Sequence, residues 1–193
     1  LLIVAGAGSG KTKVLSSRIA HIIKSKKAYP NQILSVTFTN KASQEMQTRV
    51  SGILKKEAIG LSWLGTFHAV SAKILRKHSE AVGLNSNFSI IDQDDQIRLI
   101  KNICKSENID IKKLAPNYIL SVINNWKNKG LYPEKVILNK KNIFEKGILK
   151  IYKIYQSKLI DLNACDFGDL ILHCVNIFEN NKDILEIYSN NFK

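Results

Sequence analysis

The stretch Ala5-Gly6-Ala7-Gly8-Ser9-Gly10-Lys11-Thr12 constrains the fold more than any other part of this chain. It follows a short continuous apolar run, Leu1–Ala5, and precedes a helical period carried by Leu15, Ile19 and Ile22/Ile23. Apolar run, glycine-rich turn and helix together predict a buried parallel strand feeding a phosphate-binding loop. Gly6, Gly8 and Gly10 let such a loop turn its backbone N–H groups toward an anion. Lys11 is expected to reach the β- and γ-phosphates of ATP, and the Thr12 hydroxyl to ligate Mg²⁺. A helix starting at Thr12 adds the positive end of its dipole beneath the phosphates. The strict pattern has glycine where this chain has Ala5. That position ends the strand, where ordinary backbone angles serve, so alanine is tolerated there.

Strand and helix continue to alternate up to residue 84. Ile33–Phe38 reads as a second strand, and Ala42, Met46, Val50 and Ile53/Leu54 then fall on one helical face. Leu61–Gly65 reads as a third strand, and Phe67, Val70 and Ile74 open a third helix. This alternation predicts an α/β fold, a parallel sheet wrapped by helices. Past Gly83 the pattern becomes helical. Phe88–Ile91 is short and extended, and Asp92 reads as an N-cap with Asp95 three residues later. Ile97, Ile100 and Ile103/Cys104 carry that helix onward. Pro116 opens a helix with Ile119, Ile123 and Trp126 on one face and Gly130 at its end. Residues 131–141 read as a loop, and Ile148, Tyr152, Tyr155, Leu159 and Leu162 mark a long helix. Two more helical stretches follow Asp166, around Leu170/Cys174/Ile177 and Ile184–Tyr188. Residues 85–163 are thus expected to be a second subdomain or an insertion.

Composition removes several function classes. With 45% hydrophobic residues in 193, the chain is far from the disordered class. No apolar run approaches the ~20 residues of a membrane-spanning helix. Three cysteines at no metal-ligand spacing argue for a reducing cytoplasm rather than a disulfide framework. The first residue is Leu, so a piece of a longer protein is expected. The charge of +13 is unevenly spread: residues 1–84 carry 13 basic and 3 acidic side chains, 85–163 carry 14 and 8, and 164–193 carry 2 and 5. A basic front and middle suit a polyanionic partner. Lysine outnumbers arginine 25 to 4 amid many Ile and Asn, a bias that AT-rich coding produces without any ligand.

Ligands of open parallel sheets collect at the carboxyl ends of the strands. At the second strand end stand Phe38, Thr39, Asn40 and Lys41; at the third stand Thr66, Phe67 and His68. Each group joins small donors to an aromatic ring, with a cation added at the first. That mixture suits a nucleic-acid strand, donors for phosphates and rings for bases. The bland alternatives are specific: Asn40 and Thr66 as helix caps, Phe38 and Phe67 as core, His68 as a packing residue.

Read in order, these segments resemble the UvrD/PcrA/Rep-type DNA helicases of superfamily 1. The Ala5–Thr12 loop looks like the family's first helicase motif, Thr37–Ser43 like its motif Ia, and Gly65–Ala69 like its Thr-Phe-His motif. Phe88–Asp92 with Asp95-Gln96 looks like the start of the helical 1B insertion, and Asp166-Phe167-Gly168-Asp169-Leu170 is similar to the family's Asp-Phe-x-Asp-Leu segment. The resemblance implies a RecA-like ATP-binding domain 1A over 1–84, the 1B insertion over 85–163, and a return to 1A over 164–193. It further implies ATP and Mg²⁺ as cofactors, single-stranded DNA and single-strand/duplex junctions as partners, 3′→5′ movement, and a cytoplasmic, nucleoid-associated place in repair or replication.

Departures from the family pattern shape the expectation as well. The family's strand ending in Asp-Glu has no counterpart here, since no Asp-Glu pair occurs in the sequence. Ile90-Ile91-Asp92 imitates such a strand end, but a helix cap explains Asp92 better. The 193 residues alone are therefore expected to bind nucleotide and scarcely hydrolyse it. Two rival readings share parts of the pattern. A kinase-like P-loop enzyme has no use for the paired strand-end loops, and a non-catalytic nucleic-acid-binding protein leaves the phosphate loop unexplained.

Overall fold

The computed structural model describes Val4, Gly6, residues 10–138 and residues 143–193. In chain order come helix α1 (Lys11–Lys24), strand β1 (Ser35–Thr37), α2 (Asn40–Leu54), β2 (Leu64–Thr66) and α3 (Phe67–Lys77). Then follow β3 (Ser89–Ile90), α4 (Gln93–Ser106), α5 (Pro116–Asn128), α6 (Ile143–Asp161), β4 (Ala164–Cys165), α7 (Phe167–Asn180) and α8 (Lys182–Asn191). The protein is thus α/β, mostly helical with small parallel sheets. Of the expected strand Leu1–Ala5 all but Val4, and Ala5, Ala7, Gly8 and Ser9 of the loop, lie outside the described residues. The chain divides into two compact units, Leu1–Val70 with Asn181–Lys193, and Ser71–Asn180.

In the first unit β1 and β2 pair in parallel, Ser35 opposite Leu64 and Thr37 opposite Thr66, with α2 as the crossover. Parallel neighbours need such a crossover because their ends lie at opposite edges. One apolar stripe of α1 (Ile19, Ala20, Ile23) meets Met46, Val50 and Leu54 of α2, and Ala28 and Ile33 close the same core. Burial of each large side chain is worth about 1.5–3 kcal/mol. The last residues return to this unit. Trp63 lies edge-on to Tyr188 and Phe192, at 5.7 and 5.5 Å between ring centroids, and the Lys193 N–H donates to the Gln32 carbonyl.

The second unit is a helical body clasped at its base. β3 and β4 pair in parallel, so the points where the chain enters and leaves the helices lie side by side. Asn163 adopts a left-handed backbone (φ 46°), which asparagine tolerates better than most residues. Its side chain accepts from the Asn85 N–H and donates to Asn87 Oδ1, closing the clasp. Inside, Ile100, Ile119, Ile123, Ile148, Ile151 and Tyr155 are fully buried. As expected, the Asp92 carboxylate accepts the Asp95 N–H at 2.9 Å and caps α4. Asp92→Ala is expected to destabilise this unit by about 1 kcal/mol, read as a lowered urea midpoint; an unchanged midpoint would show the cap to be idle. Cys104, Cys165 and Cys174 are free and buried. Among the described residues no helix is long and apolar enough to cross a membrane.

Candidate nucleotide and nucleic-acid site

Gly10 ends the glycine-rich stretch in the left-handed region at φ 85°, a conformation that favours glycine. It is the N-cap of α1, so the helix begins at Lys11, one residue earlier than the sequence suggested. The exposed Lys11 ammonium folds back and donates to the Gly6 carbonyl at 2.6 Å. Thr12 is half-buried in the first helical turn, and its carbonyl accepts from the buried Ser16 hydroxyl. The donor set suits a nucleotide with Mg²⁺: an exposed ammonium, a hydroxyl for the metal, and N–H groups at a helix start.

The second half of the site is built by the pairing of β1 with β2. Because Thr37 stands opposite Thr66, the residues that follow, Phe38 and Phe67, emerge side by side at the carboxyl edge. Their rings lie 5.3 Å apart, tilted by 45°. Phe38 is 89% exposed and Phe67 41% exposed, so neither ring belongs to the core. The Thr39 hydroxyl accepts the Ala42 N–H and caps α2. Asn40, expected as a possible cap, is instead the exposed first residue of that helix. Thr39 takes the role because its extended backbone (φ −123°, ψ 147°) aims the side chain at the helix start. Thr66 is buried and does cap α3, accepting the Ala69 N–H. Lys41 is exposed on the first turn of α2, and His68 is half-buried on the first turn of α3.

The first turns of α1, α2 and α3 contain no acidic residue, as is also true of α5, whereas α4 opens with Asp94 and Asp95 and α8 with Asp183. Carboxylates ordinarily gather at helix N-termini, where they stabilise the dipole. At α1 no side chain caps the helix start, which leaves it open to an outside anion, whereas Thr39 and Thr66 already accept the Ala42 and Ala69 N–H groups at α2 and α3.

Sequence reasoning passed over Lys127. It stands four residues beyond Ile123 and eight beyond Ile119, on the apolar stripe of α5, and it is buried with Asp166 and Asp169. A lysine at a core position of an apolar helical period was the available signal.

The whole chain, residues 1–193, matches the UvrD/REP helicase N-terminal domain, and it belongs to that family. It is 45% identical over 196 residues to a probable DNA helicase II homolog of Rickettsia conorii, covering all of this chain and 30% of the relative. It is 42% identical over 193 residues to the ATP-dependent DNA helicase PcrA of Staphylococcus epidermidis, covering all of this chain and 26% of that protein. The chain thus spans less than a third of the length of these curated relatives.

Proposed function

We propose that this chain is the ATP-binding, strand-contacting part of an ATP-driven DNA helicase that moves 3′→5′ on single-stranded DNA. The observation that carries the reading is the exposed Phe38–Phe67 pair at the carboxyl edge of two parallel strands, beside acid-free helix starts and Lys41. Aromatic rings left in water next to unneutralised N–H groups suit bases and phosphates of one strand. In this reading residues 1–84 and 164–193 belong to the RecA-like domain 1A and residues 85–163 form the 1B insertion. The Ala5–Thr12 loop holds the ATP phosphates, with Lys11 on the β- and γ-phosphates and Thr12 on Mg²⁺. When bound, the metal would neutralise phosphate charge. Phe38, Thr39, Asn40, Lys41, Phe67 and His68 face the DNA, and the buried Thr66 holds its loop in place. Single-stranded DNA and its junctions with duplex are the substrates in this reading, and the name "ATP-dependent DNA helicase PcrA" carried by one relative supports DNA as the substrate.

Fluorescence anisotropy of a labelled single-stranded oligonucleotide tests the DNA half of the site. Binding is expected to weaken steeply with salt and to be competed better by single strands than by duplex. Lys41→Ala should lower the slope of log K against log salt by about 0.7, the counterion released by one phosphate contact on a single strand. A slope equal to wild type would remove Lys41 from the interface, and absence of single-strand binding would overturn the reading.

A further inference from the structure

Lys127 is the charged centre of the second unit. Its ammonium lies 2.6 Å from Asp166 Oδ2 and 2.7 Å from Asp169 Oδ1, and all three side chains are sealed from solvent. The other carboxylate oxygens close a reciprocal box around the first turn of α7. Asp166 Oδ1 accepts the Asp169 N–H at 2.9 Å, and Asp169 Oδ2 accepts the Asp166 N–H at 3.2 Å. From α6, the Tyr155 hydroxyl donates to Asp166 Oδ2 and the Gln156 amide donates to Asp169 Oδ1. Gly168, between the two acids, makes room for the lysine stem: a Cβ there would stand 3.1 Å from Lys127 Cδ and 3.3 Å from Asp166 Oδ1. Three helices, α5, α6 and α7, therefore meet at one cation, directly after the β3–β4 clasp.

We propose that Lys127 is a positioning residue: as the shared buried counter-ion of Asp166 and Asp169, it latches the first turn of α7 onto α5 and α6 and fixes where the chain leaves the helical body. The latch is ionic, not merely packing. Two carboxylates face one ammonium, and Lys127 is the cation that both share in a site sealed from water. The groups around it are His173 on the next turn of α7, Tyr132 bonded to His173 Nδ1, Tyr152 on α6 and Cys165 on β4, with Glu134 and Arg76 further out. Burial and then the charge of Asp169 push the Asp166 carboxyl up. Burial also raises Asp169, but Lys127, His173 and hydrogen bonds more than reverse this and hold it below the usual carboxylate range. Burial pushes the His173 imidazole down.

Removing the cation changes the proton balance in one direction. In Lys127→Met both carboxyls face a dry site without a counter-ion, so both take up protons more readily. The folded variant then binds more protons than the folded wild type, and its stability deficit must shrink as pH falls. In unfolding experiments on the 193-residue chain from pH 8 to pH 5, the deficit is expected to narrow by up to about ten-fold in the folding constant per pH unit for each proton taken up. Hydrogen exchange should place the loss at the amides of Ser89, Ile91 and Asp169. Where Lys127→Met does not fold at pH 8, folding on acidification is the expected result. The triple variant Lys127→Met/Asp166→Asn/Asp169→Asn, which removes every charge of the latch, should fold at both pH values and show no such narrowing. A Lys127→Met deficit that is constant with pH, a variant unfolded at every pH, or the same narrowing in the triple variant would overturn the ionic latch.

Discussion

Lys11→Ala is expected to weaken binding of a fluorescent ATP·Mg²⁺ analogue between about ten-fold and a hundred-fold. A hydrogen bond to a charged group is worth about 1.5–3 kcal/mol, and each 1.4 kcal/mol is about ten-fold in affinity. The side chain is exposed, and its hydrogen bond to the Gly6 carbonyl at 2.6 Å spans only five residues of loop. Its removal therefore costs the fold little, within about 0.5 kcal/mol as for other surface substitutions. Affinity and stability should separate: binding falls and the thermal midpoint does not. Lys24→Ala, which removes the same charge from the last turn of α1, is the control and should leave nucleotide affinity nearly unchanged. Equal affinities for wild type and Lys11→Ala would remove the Ala5–Thr12 loop from nucleotide binding.

What could be read from the sequence was local. The Asp92 cap, the α5 start at Pro116 and the helix faces of α2 and α4 follow from interactions within a turn or two. The β-strands were legible as apolar runs but not in their limits. Ile33–Phe38 shrinks to Ser35–Thr37, and Leu61–Gly65 moves to Leu64–Thr66, because the partner strand sets how far pairing extends. Trp63, read as strand, instead sits before β2 against two rings more than a hundred residues away. The same limit applies at the site. Phe38 and Phe67 could be core or surface by residue type, and only the register of β1 with β2 places both rings at one open edge. The Asp-Phe-x-Asp-Leu segment was recognisable, whereas its cation was not, since Lys127 lies 39 residues away from Asp166.

The strongest effect on DNA should come from the two rings together. Phe38→Ala removes a side chain that is 89% exposed and so contributes little to the core. Stacking of a base on an aromatic ring is worth about 1–3 kcal/mol, which makes roughly a ten-fold loss of single-strand affinity the expected result for Phe38→Ala. Phe67→Ala should cost a similar factor in binding and somewhat more in stability, since that ring is less exposed. The rings touch at 5.3 Å, so each shapes the surface offered by the other. Neighbours in contact are not additive, and the double variant should therefore lose more than either single variant but fall short of the roughly hundred-fold product of two ten-fold losses. Phe38→Leu separates stacking from plain apolar contact: it keeps an apolar side chain but has no flat ring, and it should bind almost as weakly as Phe38→Ala. The salt slope should stay at the wild-type value in all these variants, because no phosphate contact is lost. Single-strand affinity at the wild-type level in the double variant would show that bases do not stack at this edge.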